Sequence, residues 1–156
     1  MFAMSKTFLR CRECKKEYDS TFKYICDECF GPLDVHYHFP SITKDIFTSR
    51  EQTYWRYFEL LPIVDKSNIV SINAGMTPLV KAEKLGKKIG LNNLYIKNDS
   101  VNPTFSFKDR PAGVAISKAK EFGLSSVGCA STGNLAAATA AHAAKGNFPC
   151  YIFAPS

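Results

Sequence analysis

The chain has 156 residues, 46% of them hydrophobic and 22% charged, a balance that excludes a disordered polymer and suffices for one ordinary domain. At this size a fold buries roughly two thirds of the surface its unfolded chain exposes. Twenty Lys and Arg against fourteen Asp and Glu leave a net charge of +6; the basic residues are dispersed, so they read as a generic basic surface and no nucleic-acid partner is expected.

The opening MFAMSKTFLRC has no sustained apolar core of a signal peptide. No stretch approaches the roughly 18–20 apolar residues that span a bilayer. A cytoplasmic protein without a membrane partner is therefore expected. Four of the six cysteines follow at once as Cys11-x2-Cys14-x11-Cys26-x2-Cys29. Two CxxC knuckles can close tetrahedrally around one ion with thiolates only, a closed structural site for zinc. Gly31-Pro32 ends the second knuckle, and LDVHYHF alternates as an outer strand does. Residues 1–39 thus read as a small zinc-ribbon-like module with Cys11, Cys14, Cys26 and Cys29 as metal ligands. His36 and His38 read as surface strand residues, since four thiolates already fill the coordination shell.

Residues 40–75 read as a connector or docking arm. Its TYWRYFELLP segment predicts a short helix stopped at Pro62 and anchored by Trp55, Tyr57, Phe58 and Leu61. From residue 76 the periodicity changes repeatedly. Leu79, Ala82, Leu85 and Ile89 predict a helix ended by Gly90, and LYIK predicts a strand at 94–97. KDRPAGVAISKAKEF predicts an amphipathic helix with Ala112, Ala115, Ile116, Ala119 and Phe122 on one face. A strand at 126–130, a helix over LAAATAAHAAK and a strand at 150–154 follow. Cys129 and Cys150 read as small hydrophobes in those strands. Alternation of this kind predicts an α/β parallel sheet covered by helices, so residues 76–156 read as an incomplete three-layer domain.

Two segments carry chemistry. In Asn102-Pro-Thr-Phe-Ser-Phe-Lys-Asp-Arg-Pro111, Pro111 fits only within the first turn of a helix, where no amide hydrogen is needed. The helix should then begin near Lys108, with Ser106 or Phe107 at its cap. An ammonium there opposes the helix dipole by roughly 0.3–1 kcal/mol, and imine formation with an aldehyde would relieve part of that. In Ala130-Ser-Thr-Gly-Asn-Leu135, a strand turns into a helix that Ser131 or Thr132 can cap. Free amides at that start make a site for a carboxylate or phosphate. The GxGxxG dinucleotide fingerprint is absent.

NPTFSFKDRPAGVAISKAKEFG followed by CASTGNLAAATAAHAAKG resembles the threonine synthases of the archaeal and bacterial type. They belong to the tryptophan-synthase-β-like pyridoxal-phosphate family, also called fold type II. The likeness extends upstream through the two knuckles, WRYFELLP and AGMTPLVKAEKLGKKIGLNNLYIKND. It implies that Lys108 is the Schiff-base lysine for pyridoxal 5'-phosphate and a proton shuttle. It also implies that Asn134 bonds the cofactor's phenolic oxygen and that Phe107 packs beside its ring. Ser131, Thr132 and Gly133 would then receive the substrate carboxylate.

The reaction implied converts O-phospho-L-homoserine and water to L-threonine and phosphate, in a homodimer. Related chemistries, as in cysteate synthases or threonine dehydratases, and a zinc-ribbon adaptor without catalysis are the alternatives. Phe105 and Pro111 stand where the family more often has glycine. The family's phosphate cup and the residue facing the pyridine nitrogen are expected beyond residue 156, so the 156-residue piece alone is expected to be inactive.

Overall fold

A computed structural model describes residues 7–39 and 42–155. Expectations that fall on residues 1–6, on Ser156, or on the module boundary at 40–41 lie outside the described residues.

Strands β1 (Thr7–Cys11), β2 (Glu17–Asp19) and β3 (Leu33–Tyr37) form an antiparallel sheet in the order β2-β1-β3. Leu9 lies opposite both Tyr18 and Val35. Alternate residues of β1 point inward, as period two requires, and bury Thr7, Leu9 and Cys11. β3 is an outer strand, as its alternation predicted. His36 is part-buried on it, His38 is exposed just past its end, and both stack on Phe8.

Helix α1 (Lys44–Thr48) opens the connector, and two 3-10 turns, Tyr54–Leu60 and Lys66–Asn68, follow. The aromatic segment is helical but anchors less than expected, for Tyr57 is exposed and Phe58 and Leu61 are only half-buried. Trp55 does pack, close to Gly113. Ile63 and Val70 supply the fully covered apolar contacts. Glu121 accepts from the amides of Val64 and Asp65 (2.8 and 3.0 Å), and Ser117 Oγ accepts from the Val70 amide at 2.9 Å.

The helix expected from Leu79 starts later. Leu79–Lys81 is instead β4, paired antiparallel with β5 (Tyr95–Lys97), and α2 covers only Glu83–Ile89. Gly90 ends α2 in the left-handed conformation, as its position predicted (φ +76°). Pairing with β5, which follows α2 in the chain, outweighs helix propensity for the Leu-Val-Lys tripeptide.

Helix α3 (Asp109–Glu121), β6 (Val127–Ala130), α4 (Asn134–Lys145) and β7 (Cys150–Phe153) match the predicted elements to within a residue or two. β6 and β7 are parallel with α4 between them, a βαβ unit. Ile116, Ala143 and Val70 meet in the core, with Val127, Phe148 and Cys150 packed around them. At Gly146 a Cβ would sit 3.0 Å from Phe148 and 3.2 Å from Ile116, so the absence of a side chain permits this approach. The fold is α/β, but among the described residues β4–β5 does not join β6–β7 into one sheet. Cys129 and Cys150 are half-buried rather than fully enclosed. None of the described helices is long and apolar enough to cross a membrane.

Arg110 and Asp99 tie this framework together ahead of α3. Arg110 Nε and Nη2 each donate to Asp99 at 2.7 Å, and Thr77 Oγ1 donates to Asp99 at 2.6 Å. The guanidinium holds the Asp99 carboxyl down at about 2, below its usual range. Because the folded state takes up this proton later than the unfolded one, the stabilisation is present above pH 4 and is lost as pH falls toward 2. The contribution is about 2 kcal/mol. Denaturant midpoints measured from pH 7 to 3 should fall, and Asp99→Asn should flatten the lower part of that curve.

Candidate active site and metal cluster

Lys108 is itself the N-cap of α3, one or two residues later than the predicted cap. The shift has a visible cause. Asp109 turns back and accepts from the Thr104 amide (2.8 Å) and the Thr104 hydroxyl (2.9 Å), closing residues 104–109 into a tight turn. Ser106 Oγ accepts from the Lys108 amide at 3.2 Å, and the Lys108 carbonyl accepts from Ala112 at 3.1 Å. Pro111 therefore occupies a first-turn position that needs no amide hydrogen, as expected.

Asp109, a conceivable partner for Lys108, points the other way. Its second close neighbour is His142 of α4, at 3.4 Å, and both side chains are fully buried. Burial pulls the His142 pKa below its usual value, more strongly than Asp109 raises it. The lysine ammonium stands over the exposed ring of Phe107, 4.9 Å from its centroid. Phe105 is 80% exposed with φ +58°, a left-handed conformation that glycine adopts without strain. This explains physically why a glycine suits that position.

Upstream, Asn102 is buried and holds the segment. Its Oδ1 accepts from the Gly75 amide at 2.9 Å and its Nδ2 donates to the Asp99 carbonyl at 3.1 Å. Lys108 is thus framed by Asn102, Asp109 and Arg110, three residues that sequence reasoning did not assign to the site. His142 was missed as well, although its spacing from Leu135 and Thr139 put a polar residue on the inner face of α4.

At the second segment the cap prediction needs correction. Gly133, rather than Ser131 or Thr132, is the N-cap of α4, and no side chain caps that helix. Ser131 Oγ instead accepts from the Gly133 amide at 3.2 Å, and the Ser131 amide is taken by the Phe153 carbonyl at 3.0 Å. Ser131 is half-buried, whereas Thr132, Gly133 and Asn134 are exposed. A Cβ built on Gly133 would meet nothing within 4 Å. An uncapped helix start with open space before it suits an anionic group. No hydrogen bond joins Lys108 to residues 131–134 among the described residues, but the helices that carry them pack together where Gly113 meets His142. A cavity of about 440 Å3 lies between the helices, walled by Pro111, Ala115, Gly128, Cys129, Leu135 and Thr139 among others. It is apolar and excludes Lys108, so it does not serve as an anion site.

The four early cysteines form one cluster. Their sulfurs all lie within 4.8 Å of one another, with Cys11–Cys29 at 3.4 Å and Cys14–Cys26 at 3.5 Å. Tetrahedral zinc needs sulfurs about 3.8 Å apart, which this spacing brackets. The two knuckles are built alike. Lys15 and Phe30, each four residues past the first cysteine of its pair, take positive φ (66° and 58°) and donate to the Cys11 and Cys26 carbonyls. Gly31 is needed for space, since a Cβ there would lie 2.8 Å from Glu13 and 3.0 Å from the Cys11 sulfur. Cys11 and Cys26 are buried; Cys14 and Cys29 are exposed.

The thiols compete for charge. Burial opposes the Cys26 thiolate, but the Tyr18 hydroxyl and the Cys29 and Glu28 amides outweigh it and bring the thiol down to about 6. Cys14 goes up to about 12. The Lys16 amide works against that rise, but the Cys29 sulfur, burial and the other two thiols prevail. Holding all four sulfurs as thiolates at this spacing would take a bound cation.

This chain belongs to the pyridoxal-phosphate dependent enzymes, whose family matches residues 70–156. More particularly, it is 42% identical over 151 residues to the threonine synthase of Methanocaldococcus jannaschii, covering 94% of this chain and 37% of that protein. The threonine synthase of Methanosarcina acetivorans is likewise 42% identical over 151 residues, 95% of this chain and 37% of the relative. That of Synechocystis sp. is 44% identical over 105 residues, 67% and 27% of the two chains. The chain thus spans little more than a third of the length of these curated relatives.

Proposed function

We propose that this chain belongs to a threonine synthase that converts O-phospho-L-homoserine and water to L-threonine and phosphate. The observation that carries the reading is the 42% identity to threonine synthases across nearly the whole chain. Lys108, at the start of α3, would hold pyridoxal 5'-phosphate through Nζ. The cofactor, when bound, supplies an electron sink for charge at the substrate Cα. Lys108 Nζ would move protons at the substrate Cα and Cβ. The turn at Ser131, Thr132 and Gly133 receives the substrate carboxylate, and Asn134 orients the cofactor's phenolic oxygen. Phe107, next to the lysine and exposed, offers a face to the cofactor ring.

Within this reading residues 1–39 are a zinc-ribbon-like module holding structural zinc on Cys11, Cys14, Cys26 and Cys29. Residues 40–75 are a docking arm, and 76–156 belong to a tryptophan-synthase-β-like catalytic domain. The enzyme acts as a cytoplasmic homodimer on a small phosphorylated amino acid.

Phosphate release by the full-length protein tests the substrate directly, with O-phosphohomoserine, O-phosphoserine and threonine compared. Turnover of O-phosphohomoserine well above the other two is expected. Phe105 makes the comparison necessary, because a bulky side chain stands three residues before the lysine. Preference for O-phosphoserine or threonine would reject the reading.

A further inference from the structure

Tyr18 is part of neither the lysine site nor the four cysteines, yet its hydroxyl lies 3.0 Å from the sulfur of Cys26. The same oxygen accepts a hydrogen bond from the Asp27 amide at 3.1 Å. A phenol has one proton, and that amide occupies one of its lone pairs. With Cys26 as a thiolate ligand the sulfur carries no proton, so the phenolic hydrogen is the one that bridges this pair. Cys26 Sγ also accepts from the Glu28 amide at 3.4 Å, and the residue is 0% exposed, so water does not substitute for either donor. Tyr18 is positioned from outside the knuckles. It sits at the middle of β2, opposite Leu9 of β1, and Lys23 stands over its ring 4.9 Å from the centroid.

We propose that Tyr18 is an outer-shell partner of the metal site, donating through its hydroxyl to the Cys26 thiolate and thereby setting the affinity for a thiophilic divalent cation. The proposal rests on the reading of the four cysteines as a zinc site. A tetrathiolate site carries a net charge of −2 with a divalent ion, and two of its sulfurs are buried here. Donors to those sulfurs spread the charge and fix the ligand's direction. Cys11 and Cys26 differ in this respect: the Cys26 sulfur has a side-chain hydroxyl beside it in addition to backbone amides.

The test uses the full chain, loaded with zinc or with cobalt as a spectroscopic substitute. Wild type should bind one equivalent. Tyr18→Phe should still bind one equivalent, with zinc affinity by chelator competition lowered about 10- to 100-fold. Its sulfur-to-cobalt charge-transfer band should also move to lower energy, because a thiolate without its hydrogen bond is a better electron donor. Unchanged affinity and an unmoved band would overturn the role of Tyr18 while leaving the zinc site standing. Failure of wild type to bind either metal would overturn the zinc reading itself, and the proposal with it. If Tyr18→Phe does not fold, wild type grown with fluorotyrosine, a stronger donor, should show the band at higher energy. No shift in that experiment would reject the proposal equally.

Discussion

Chelating the zinc proposed for the four-cysteine cluster, or replacing Cys26 with Ser, should unfold the sheet of β1, β2 and β3. The reason lies in what that sheet buries. Its fully covered apolar side chains among the described residues are Leu9 and the cysteines Cys11 and Cys26. One leucine cannot offset the ordering of some thirty residues, each of which costs about 1–2 kcal/mol in backbone entropy alone. Structural zinc contributes about 10–16 kcal/mol of apparent binding energy at neutral pH, enough to reverse the balance. Amide exchange should show Thr7–Tyr37 losing protection on chelation, while α3 and α4 keep most of theirs. The ring pair of Phe22 with Phe122, at the end of α3, should be lost with it. Full protection of β1 in the chelated protein would show that the sheet does not need the ion.

The second large effect is expected at Asp109. Asp109→Ala removes the acceptor for the Thr104 amide and hydroxyl and the acidic neighbour of His142 at once. Hydrogen bonds to a charged group contribute about 1.5–3 kcal/mol each, and buried donors left without an acceptor add to the loss. Destabilisation of about 3 kcal/mol is expected, read as a lower Tm. A functional loss should accompany it, because the turn that sets Lys108 at the helix start would open. Titration of the full-length variant with pyridoxal phosphate should show weaker binding, with Asp109→Asn intermediate. A variant with unchanged cofactor binding would separate Asp109 from the positioning of Lys108.

Much of this was readable before any coordinates. The extents of α3 and α4, the strands β6 and β7 and the spacing of the cysteines are local patterns, and local patterns survive in the fold. Of the face expected on α3, Ala112, Ile116 and Ala119 are buried but Ala115 is exposed. Leu79 was misassigned because its partner is Lys97, beyond α2 in the chain, a pairing that helix periodicity does not register. The cap at Lys108 and the bare start at Gly133 were off by a residue or two for a similar reason. Ser106 and Ser131 spend their hydroxyls on nearby amides in turns before each helix rather than on the helix proper. Least legible was the frame around the lysine. Asp109 with His142 and Arg110 with Thr77 each join residues 33 positions apart, and nothing in either segment alone declares the pairing.

Lys108 remains the centre of the account, now as a half-buried helix cap held from both sides rather than a surface lysine. The most direct measurement is chemical. The full-length protein, loaded with pyridoxal phosphate, is reduced with borohydride and digested, and the pyridoxyl group is located by mass spectrometry. The peptide containing Lys108 is expected to carry the label. A label on any other lysine, or no stable label at all, would contradict it.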